Sequence, residues 1–410
     1  MKWNQQRIGD LCTVGRGSSP RPINDNRFFD GGEIPWIKVA DATASGKYLL
    51  KTKLKVNALG ASFSRLLPPG SLIICTSGTL GLPIFLGVEG CIHDGWLYTY
   101  DYRGLDPEFF YHFLQTQKAY FASVAYGAAI QNINTEILRN TKICLPPIDE
   151  QRRMADVLKS YDDLIENNRR RMALLEESAR LLYREWFVRL RFPGHESTRI
   201  VNGVPEGWER LHVGDFVERG QVSIQTGPFG TQLKASDYTE EGTPVINVRN
   251  IGYGDLRPDK LEYVPEAITE RLTAHLLREG DIVFGRKGAV DRHLLVSSAQ
   301  HGWMQGSDCI RLRPLSEKVC PVLLTFAFRE PSHHEWMLTQ CGNKATMASL
   351  NQEVISRIPV IVPSHALLTE FREFAKDALD QINKLALQNQ KLRAARDLLL
   401  PKLMSGEIEV

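Results

Sequence analysis

Two glycines and three cations fall within the nine residues Phe284–Arg292, FGRKGAVDR. A glycine-rich basic loop can wrap a phosphate, because its backbone approaches closely and its cations neutralise charge. The phosphate can belong to a nucleotide or to a nucleic-acid backbone. The nucleotide option fails on spacing. No GxxxxGK[ST] follows Gly285, and Gly288 is followed by Ala289, so the lysine and hydroxyl that would hold phosphates and magnesium are missing. The chain also has no HExxH, no GxSxG, no GxGxxG after a strand, and no Asp/Asn-Pro-Pro-aromatic tetrapeptide of amino-methyltransferases. His333-His334-Glu335 are adjacent rather than at helical spacing, and Pro258-Asp259-Lys260 lacks the spaced acid that precedes a nuclease lysine.

The loop is one of a pair. CTSGTLG, 210 residues earlier, keeps the glycine turn and loses every cation. A cradle for a fixed cofactor has no reason to vary so, whereas a loop reading two different targets does. Other segments return in the same order. Trp3 with Ile8-Gly9-Asp10 recurs as Trp208 with Val213-Gly214-Asp215, and Pro35-Trp36-Ile37-Lys38-Val39 as Pro244-Val245-Ile246-Asn247-Val248. Asn134, Glu136 and Pro146 recur as Asn351, Glu353 and Pro363, and the offset grows from 205 to 217 along the chain. A drift in one direction is what small insertions in a second copy produce, so the chain reads as a tandem duplicate.

Each copy mixes short β-type runs such as SLIIC and TPVINV with Gly/Pro turns and then enters a long helix. The expected fold class is α+β: two tandem α/β domains, each followed by a long helix, the two helices forming an antiparallel coiled coil. The expected boundaries are 1–147 for the first domain, 148–192 for the central helix, 193–364 for the second domain and 365–410 for the last helix and tail. Met154, Leu158, Tyr161, Ile165, Asn168, Met172, Leu175, Ala179, Leu182 and Trp186 step by four and three, which is a coiled-coil seam. The seam recurs 217 residues on, from Phe371 to Leu403, with one charged break at Arg396. Each seam carries one asparagine, Asn168 and Asn389, which sets register if the two meet. That register places Leu158 opposite Leu399, Ile165 opposite Leu392, Ala179 opposite Ala378 and Trp186 opposite Phe371, with the Arg396 cation on the Tyr161 ring. Pro401 is expected to stop the second helix near Leu400.

Formal net charge is only +2, less than a nonspecific coat for nucleic acid needs, so DNA-binding cations would be local or supplied by a partner. Seven dispersed cysteines without a CxxC pair fit the reduced thiols of a cytoplasmic protein better than disulfides or zinc. No apolar run approaches the roughly 20 residues of a membrane span, and MKWNQQRIGDL has no signal-peptide core. Two similar heads on a fixed spacer suit two similar sites on a linear polymer. A seam of about 48 Å is comparable to about 14 base pairs of B-DNA.

Four segments, LPPIDEQRRMADVL (145–158), LLYREWFVRLRFPG (181–194), TGPFGTQL (226–233) and RDLLLPKLMSGEIEV (396–410), lie in order along the chain. On these and the duplication, the chain resembles the DNA-specificity subunit of type I restriction–modification systems. The resemblance implies that each head is a target recognition domain reading one half of a split sequence in double-stranded DNA. It implies that the coil fixes the gap and docks two methyltransferase (modification) subunits, which carry S-adenosylmethionine and methylate adenine. Restriction/translocase subunits would add cleavage driven by ATP and magnesium. This chain would then be no enzyme, with no cofactor or metal of its own.

Under that reading, equivalent loops supply the DNA contacts. The glycine turns give Arg286, Lys287 and Arg292 in one copy and Thr76, Ser77 and Thr79 in the other. A second pair is Arg16, Ser18, Ser19 and Arg21 with Thr226, Phe229, Gln232 and Lys234. A third is Lys38 with Asn247 and Arg249, and a fourth Gln131 and Asn132 with Lys344 and Thr346. Arg286 or Lys287 suits a guanine edge. The plainer alternatives are surface hairpins whose glycines merely permit tight turns, with TGPFG a structural turn. Asn134 and Asn351 read as helix N-caps. Arg169-Arg170-Arg171 reads as a solvated helix face, with a partner or phosphate contact as the alternative. A two-headed DNA-binding regulator without enzyme partners is the rival, and the low net charge counts against it.

Overall fold

The computed structural model of the chain describes residues 3–43, 45–125, 132–288, 290–341 and 349–410. It divides into two compact units, Met1–Arg170 with Leu385–Val410, and Arg171–Lys384.

The head of the first unit is built on a five-stranded sheet in the order Thr13–Arg16, Trp96–Tyr100, Leu72–Cys75, Pro83–Leu86, Tyr48–Leu49. A four-stranded sheet, Leu54–Val56, Ile34–Ile37, Gly90–Ile92, Arg65–Leu67, lies beside it in sequence. Leu72–Cys75 and Pro83–Leu86 are buried at every position, as their unbroken apolar runs require. The helix Pro107–Thr116 starts on a proline with the Asp106 side chain accepting from Phe109 N, and its phenylalanines close the core over the sheet.

The second unit repeats the design with different residues. Its five-stranded sheet runs Val222–Thr226, Cys309–Pro314, Ile282–Gly285, His293–Leu295, Tyr253–Gly254. The last two strands are parallel in both heads, Tyr48 opposite Phe85 and Tyr253 opposite His293. The helix after the sheet again opens on a proline, at Pro321–Phe328. Asn134 and Asn351 each cap a short helix, accepting from Ile137 N and Val354 N at 2.8 Å.

The long helices are Ile148–Tyr183 and His365–Ser405. Within the first unit they run antiparallel, and the two seam asparagines meet: Asn168 Nδ2 donates to Asn389 Oδ1 at 3.0 Å, and Asn389 Nδ2 to Ile165 O at 3.2 Å. Leu158 packs with Leu400 and Leu403, Leu399 lying at the rim. Three expectations need correction. Arg396 does not stack on Tyr161; its guanidinium donates to Asp162 Oδ1 at 2.6 Å, because a full carboxylate next door outbids a ring quadrupole. Pro401 does not stop the second helix, which continues to Ser405 because Leu400 and Leu403 bury the turn around it. In the second unit Trp186 is not the ring facing Phe371; Tyr183 and Phe187 are, at 5.9 and 5.1 Å between centroids. For Phe187 the reason is a π-type turn at Arg184–Val188, closed by Arg189 N donating to Arg184 O at 2.8 Å; Tyr183 lies just before it. The wider turn holds one extra residue and advances the seam by one.

The asparagine pair gives a direct test. Asn168→Ala leaves Asn389 Oδ1 buried without a donor and is expected to cost about 1–3 kcal/mol in urea unfolding. Replacing both by leucine removes both polar groups and is expected to restore or exceed the original stability.

Candidate nucleic-acid interface

In the first head Arg16 stands opposite Leu97 and Trp96 opposite Cys75, so three strands of the five-stranded sheet end together. Ile37 ends beside Ile92 in the parallel pair of the other sheet, and Trp96 Nε1 donates to Ile37 O at 3.1 Å. Residues 17–21, 38, 76–81 and 93–95 therefore leave the two sheets at one edge. Asn132 joins them by a bridge to Ser77.

The second head has the same edge. Thr226 stands opposite Ile310, Cys309 opposite Gly285 and Ile246 opposite Gln305, and Lys287 bridges Ser349. Three main-chain bonds correspond between the heads. Gly17 N donates to Trp96 O at 2.9 Å and Gly227 N to Cys309 O at 2.8 Å. Thr76 N donates to Gly95 O at 3.0 Å and Arg286 N to Asp308 O at 2.8 Å. Ile133 N donates to Thr76 O at 3.0 Å and Leu350 N to Arg286 O at 2.7 Å. Gly17 and Gly227 must be glycine, because a Cβ would overlap the backbone carbonyl of His93 in one head and of Gly306 in the other. The first three loop pairs named from the sequence thus leave the sheets at this edge in both heads, and Asn132 of the fourth joins it in the first head; Gln131, Lys344 and Thr346 lie outside the described residues.

The side chains on this shared frame differ. In the first head Asp94 organises the loop: it accepts from Ser19 Oγ at 2.9 Å and pairs with Arg21 at 2.5 Å, while its backbone carbonyl accepts from Arg16 Nε at 3.0 Å. Burial pushes the Asp94 carboxyl up, but the Ser19 hydroxyl and the Arg21 and His93 charges outweigh it and hold the group below its ordinary value. Ser18 is exposed, Ser77 and Thr79 are half-buried, and the Lys38 ammonium lies 5.0 Å above the Trp36 ring. Thr76 is a correction. Its side chain is fully buried and its hydroxyl has no partner, because the unbroken burial of the strand runs one residue past Cys75.

In the second head the acids sit elsewhere. Lys287 Nζ is 3.3 Å from Asp308, and Arg249 is 2.5 Å from Glu262, which also accepts from Asn247 Nδ2 at 2.6 Å. Arg286 is half-buried and Lys287 exposed. Thr226 Oγ1 accepts from Gln352 Nε2 at 3.0 Å. Gln232 and Lys234 are exposed, and the Phe229 ring is 65% exposed. Arg292 is a second correction: its guanidinium lies over the Tyr253 ring at 5.5 Å and its Nε is buried, so it secures the edge strand. Asp94, Asp308, Glu262 and Gln352 complete the two edges and stand in none of the four loop pairs. The loop strand offset, which pairs His93-Asp94-Gly95 with Gly306-Ser307-Asp308, was the signal available for the first two.

Among the described residues no group of three or more His, Cys, Asp or Glu is placed to hold a metal ion. Nor is any helix long and apolar enough to cross a membrane. Gly227→Ala is expected to break the Gly227 N to Cys309 O bond. The amide at 227 would then lose protection in hydrogen exchange while Val283 and Leu312 keep theirs, for a stability loss of about 1–3 kcal/mol.

Residues 1–177 match the family model of the type I restriction modification DNA specificity domain. Over its full length the chain is 23% identical to the type I restriction enzyme MjaIX specificity subunit of Methanocaldococcus jannaschii, covering 94% of that protein. It is also 23% identical over 75% of its length to the MjaVIII specificity subunit of the same organism, covering 68% of it. The crystal structure of the type I restriction–modification S subunit from M. genitalium has the same fold, with a TM-score of 0.62 at 16% identity over 98% of this chain and 96% of that one. Residues 1–177 thus carry a type I restriction modification DNA specificity domain, and over its whole length the chain is similar to type I specificity subunits.

Proposed function

We propose that each head reads one half of a split site in double-stranded DNA through its loop edge. The observation that carries this is the match of three main-chain hydrogen bonds and one obligatory glycine at the two edges against the difference of their side chains. A frame that holds backbone while freeing side chains suits two readers of different base sequence. Arg286 and Lys287 are the cations of the second reader, with Gln232, Lys234 and Arg249 beside them. Arg16, Arg21, Ser18, Ser77, Thr79 and Lys38 serve the first.

The paired helices set the gap between half-sites and dock two methyltransferase subunits. Leu181 and Leu398, 217 residues apart in the duplicated helices, are 47% and 71% exposed. Matching apolar side chains left in water suit two copies of one partner. S-adenosylmethionine would be carried by those partners, and ATP with magnesium by restriction/translocase subunits, in the cytoplasm. The adenine to be methylated would leave the duplex for the partner's pocket.

The test is the methylated sequence of a host carrying the system. Arg286→Ala with Lys287→Ala is expected to relax or change the second half-site, leave the first intact, and lower the salt slope of DNA binding by about 1–2. An unchanged methylome and unchanged slope would refute the assignment of these two residues. Failure of the chain to copurify with a methyltransferase encoded beside it would refute the partner assignment.

A further inference from the structure

Each head rests on the long helices, and the two seats are built from different charges. In the first unit Lys47 is buried, its side chain 4% exposed, with Nζ 2.6 Å from Glu108 and 3.6 Å from Asp162. Asp162, equally buried, belongs to the first long helix and accepts from Arg396 of the second at 2.6 Å. Tyr111 and His112, on the head's own helix, complete the surround; the Lys47 ammonium lies 5.1 Å from the Tyr111 ring, and His112 Nε2 is 3.8 Å from Asp162. One aspartate thus ties the head to both helices.

In the second unit the duplication offsets place Gly254, Val322, Leu379 and Ala179 where the first has Lys47, Glu108, Asp162 and Arg396. None can rebuild that cluster. A different pair of bonds takes its place. Arg329, its side chain 8% exposed, donates to Glu176 at 3.0 Å, and Arg184 Nε donates to both oxygens of Glu330 at 2.9 and 3.0 Å. Gly254 makes this possible, since a Cβ there would overlap the Arg329 guanidinium. The corresponding positions in the first unit are Gln115, Thr116, Arg393 and Pro401, which cannot form these pairs either.

The second arrangement fixes position along the helix. Two consecutive residues of opposite sign, Arg329 and Glu330, reach two helix residues of opposite sign spaced about 12 Å apart. Arg180 stands one turn beyond Glu176 and is bonded to Glu177 at 2.7 Å. A slide of the head by one turn toward the helix C-terminus would set Arg329 against Arg180, a like-charge contact, and strand Glu330 nearly buried without its cation, and a slide the other way would leave Arg329 against Met172 without its carboxylate.

We infer that each recognition domain is keyed to its own seat by its own ionic clamp, Lys47–Asp162–Arg396 in one and Arg329–Glu176 with Glu330–Arg184 in the other. These positioning residues set the angle at which a head meets the duplex and so the gap over which the half-sites are read. The inference rests on the half-site reading above.

The experiment uses the chain assembled with its methyltransferase partners and compares methylation of a native-gap duplex with duplexes whose gap is one base pair longer or shorter. For Glu330→Gln the preference for the native gap is expected to fall by about fivefold, equivalent to about 1 kcal/mol. Preference for each half-site sequence stays unchanged. Arg184→Glu combined with Glu330→Arg is expected to restore the preference. Arg184→Lys, which keeps the charge and loses the Nε–H shared by both Glu330 oxygens, gives a smaller loss and serves if Glu330→Gln does not fold. A lowered melting temperature with an unchanged gap preference would reduce the clamp to a stability element and overturn the inference, as would failure of the reversed pair to rescue. A native complex that methylates no split site would instead remove the half-site reading, and the inference with it.

Discussion

The loop edge of each head hangs on main-chain hydrogen bonds, and the rest of the molecule is arranged around that fact. Gly17 and Gly227, Thr76 and Arg286, Ile133 and Leu350 all bond backbone to backbone. Such bonds are indifferent to side-chain identity except where a side chain would block the approach, as at the two glycines. A threonine and an arginine can therefore occupy one frame position, one turned into the core and the other toward water. Neutral hydrogen bonds of this kind are worth about 1 kcal/mol each, so several acting together hold a loop that its outward side chains do not. The same frame accounts for two heads whose sequences have drifted apart while the order of their five-stranded sheets and their parallel pairs have not.

Where a head meets the helices the logic inverts. Here side chains carry the contact, and the two copies have diverged in kind. The first unit buries a lysine and an aspartate, with a half-buried glutamate and arginine against them. The second packs Ala179, Tyr183, Phe187 and Phe371 with Val322 and Phe326 and confines its ion pairs to the margin of that cluster. Buried ions are costly unless every partner is in place, which favours one arrangement over its neighbours more than it adds stability. The burial also keeps His112 uncharged: desolvation first, then the Lys47 and Arg396 charges, push its imidazole down to about 3.

The duplication, the order of elements and the seam asparagines were legible in the sequence because they are periodic or repeat at a drifting offset. The contacts that misled share a cause: they depend on partners far away in the chain or on less than one turn of helix. Arg396 was assigned to Tyr161 because seam arithmetic locates a Cβ, yet its long side chain reaches the carboxylate of the next residue. Trp186 and Phe187 exchanged places because a π-type turn leaves no mark in a four-three spacing. The strand offset marks Asp94 and Asp308 as equivalent loop positions but not as counter-ions, because Asp94 lies 73 residues from Arg21 and no local pattern pairs them. Thr76 continues an apolar run as a polar residue, so its burial could not be told from a loop start.

Arg184 is at once the first residue of the π-type turn and the helix side of the second clamp. A gene that carries two similar halves invites unequal exchange between them. Here such an exchange would deliver a head to helix residues bearing the wrong charges: Lys47 would find Leu379 where it needs Asp162, and Arg329 would find Arg393 where it needs Glu176. Recombinants of that kind would fold each head yet seat it badly. The divergence of the seats therefore acts as a barrier that keeps the two halves of this gene distinct while leaving their reading loops free to change.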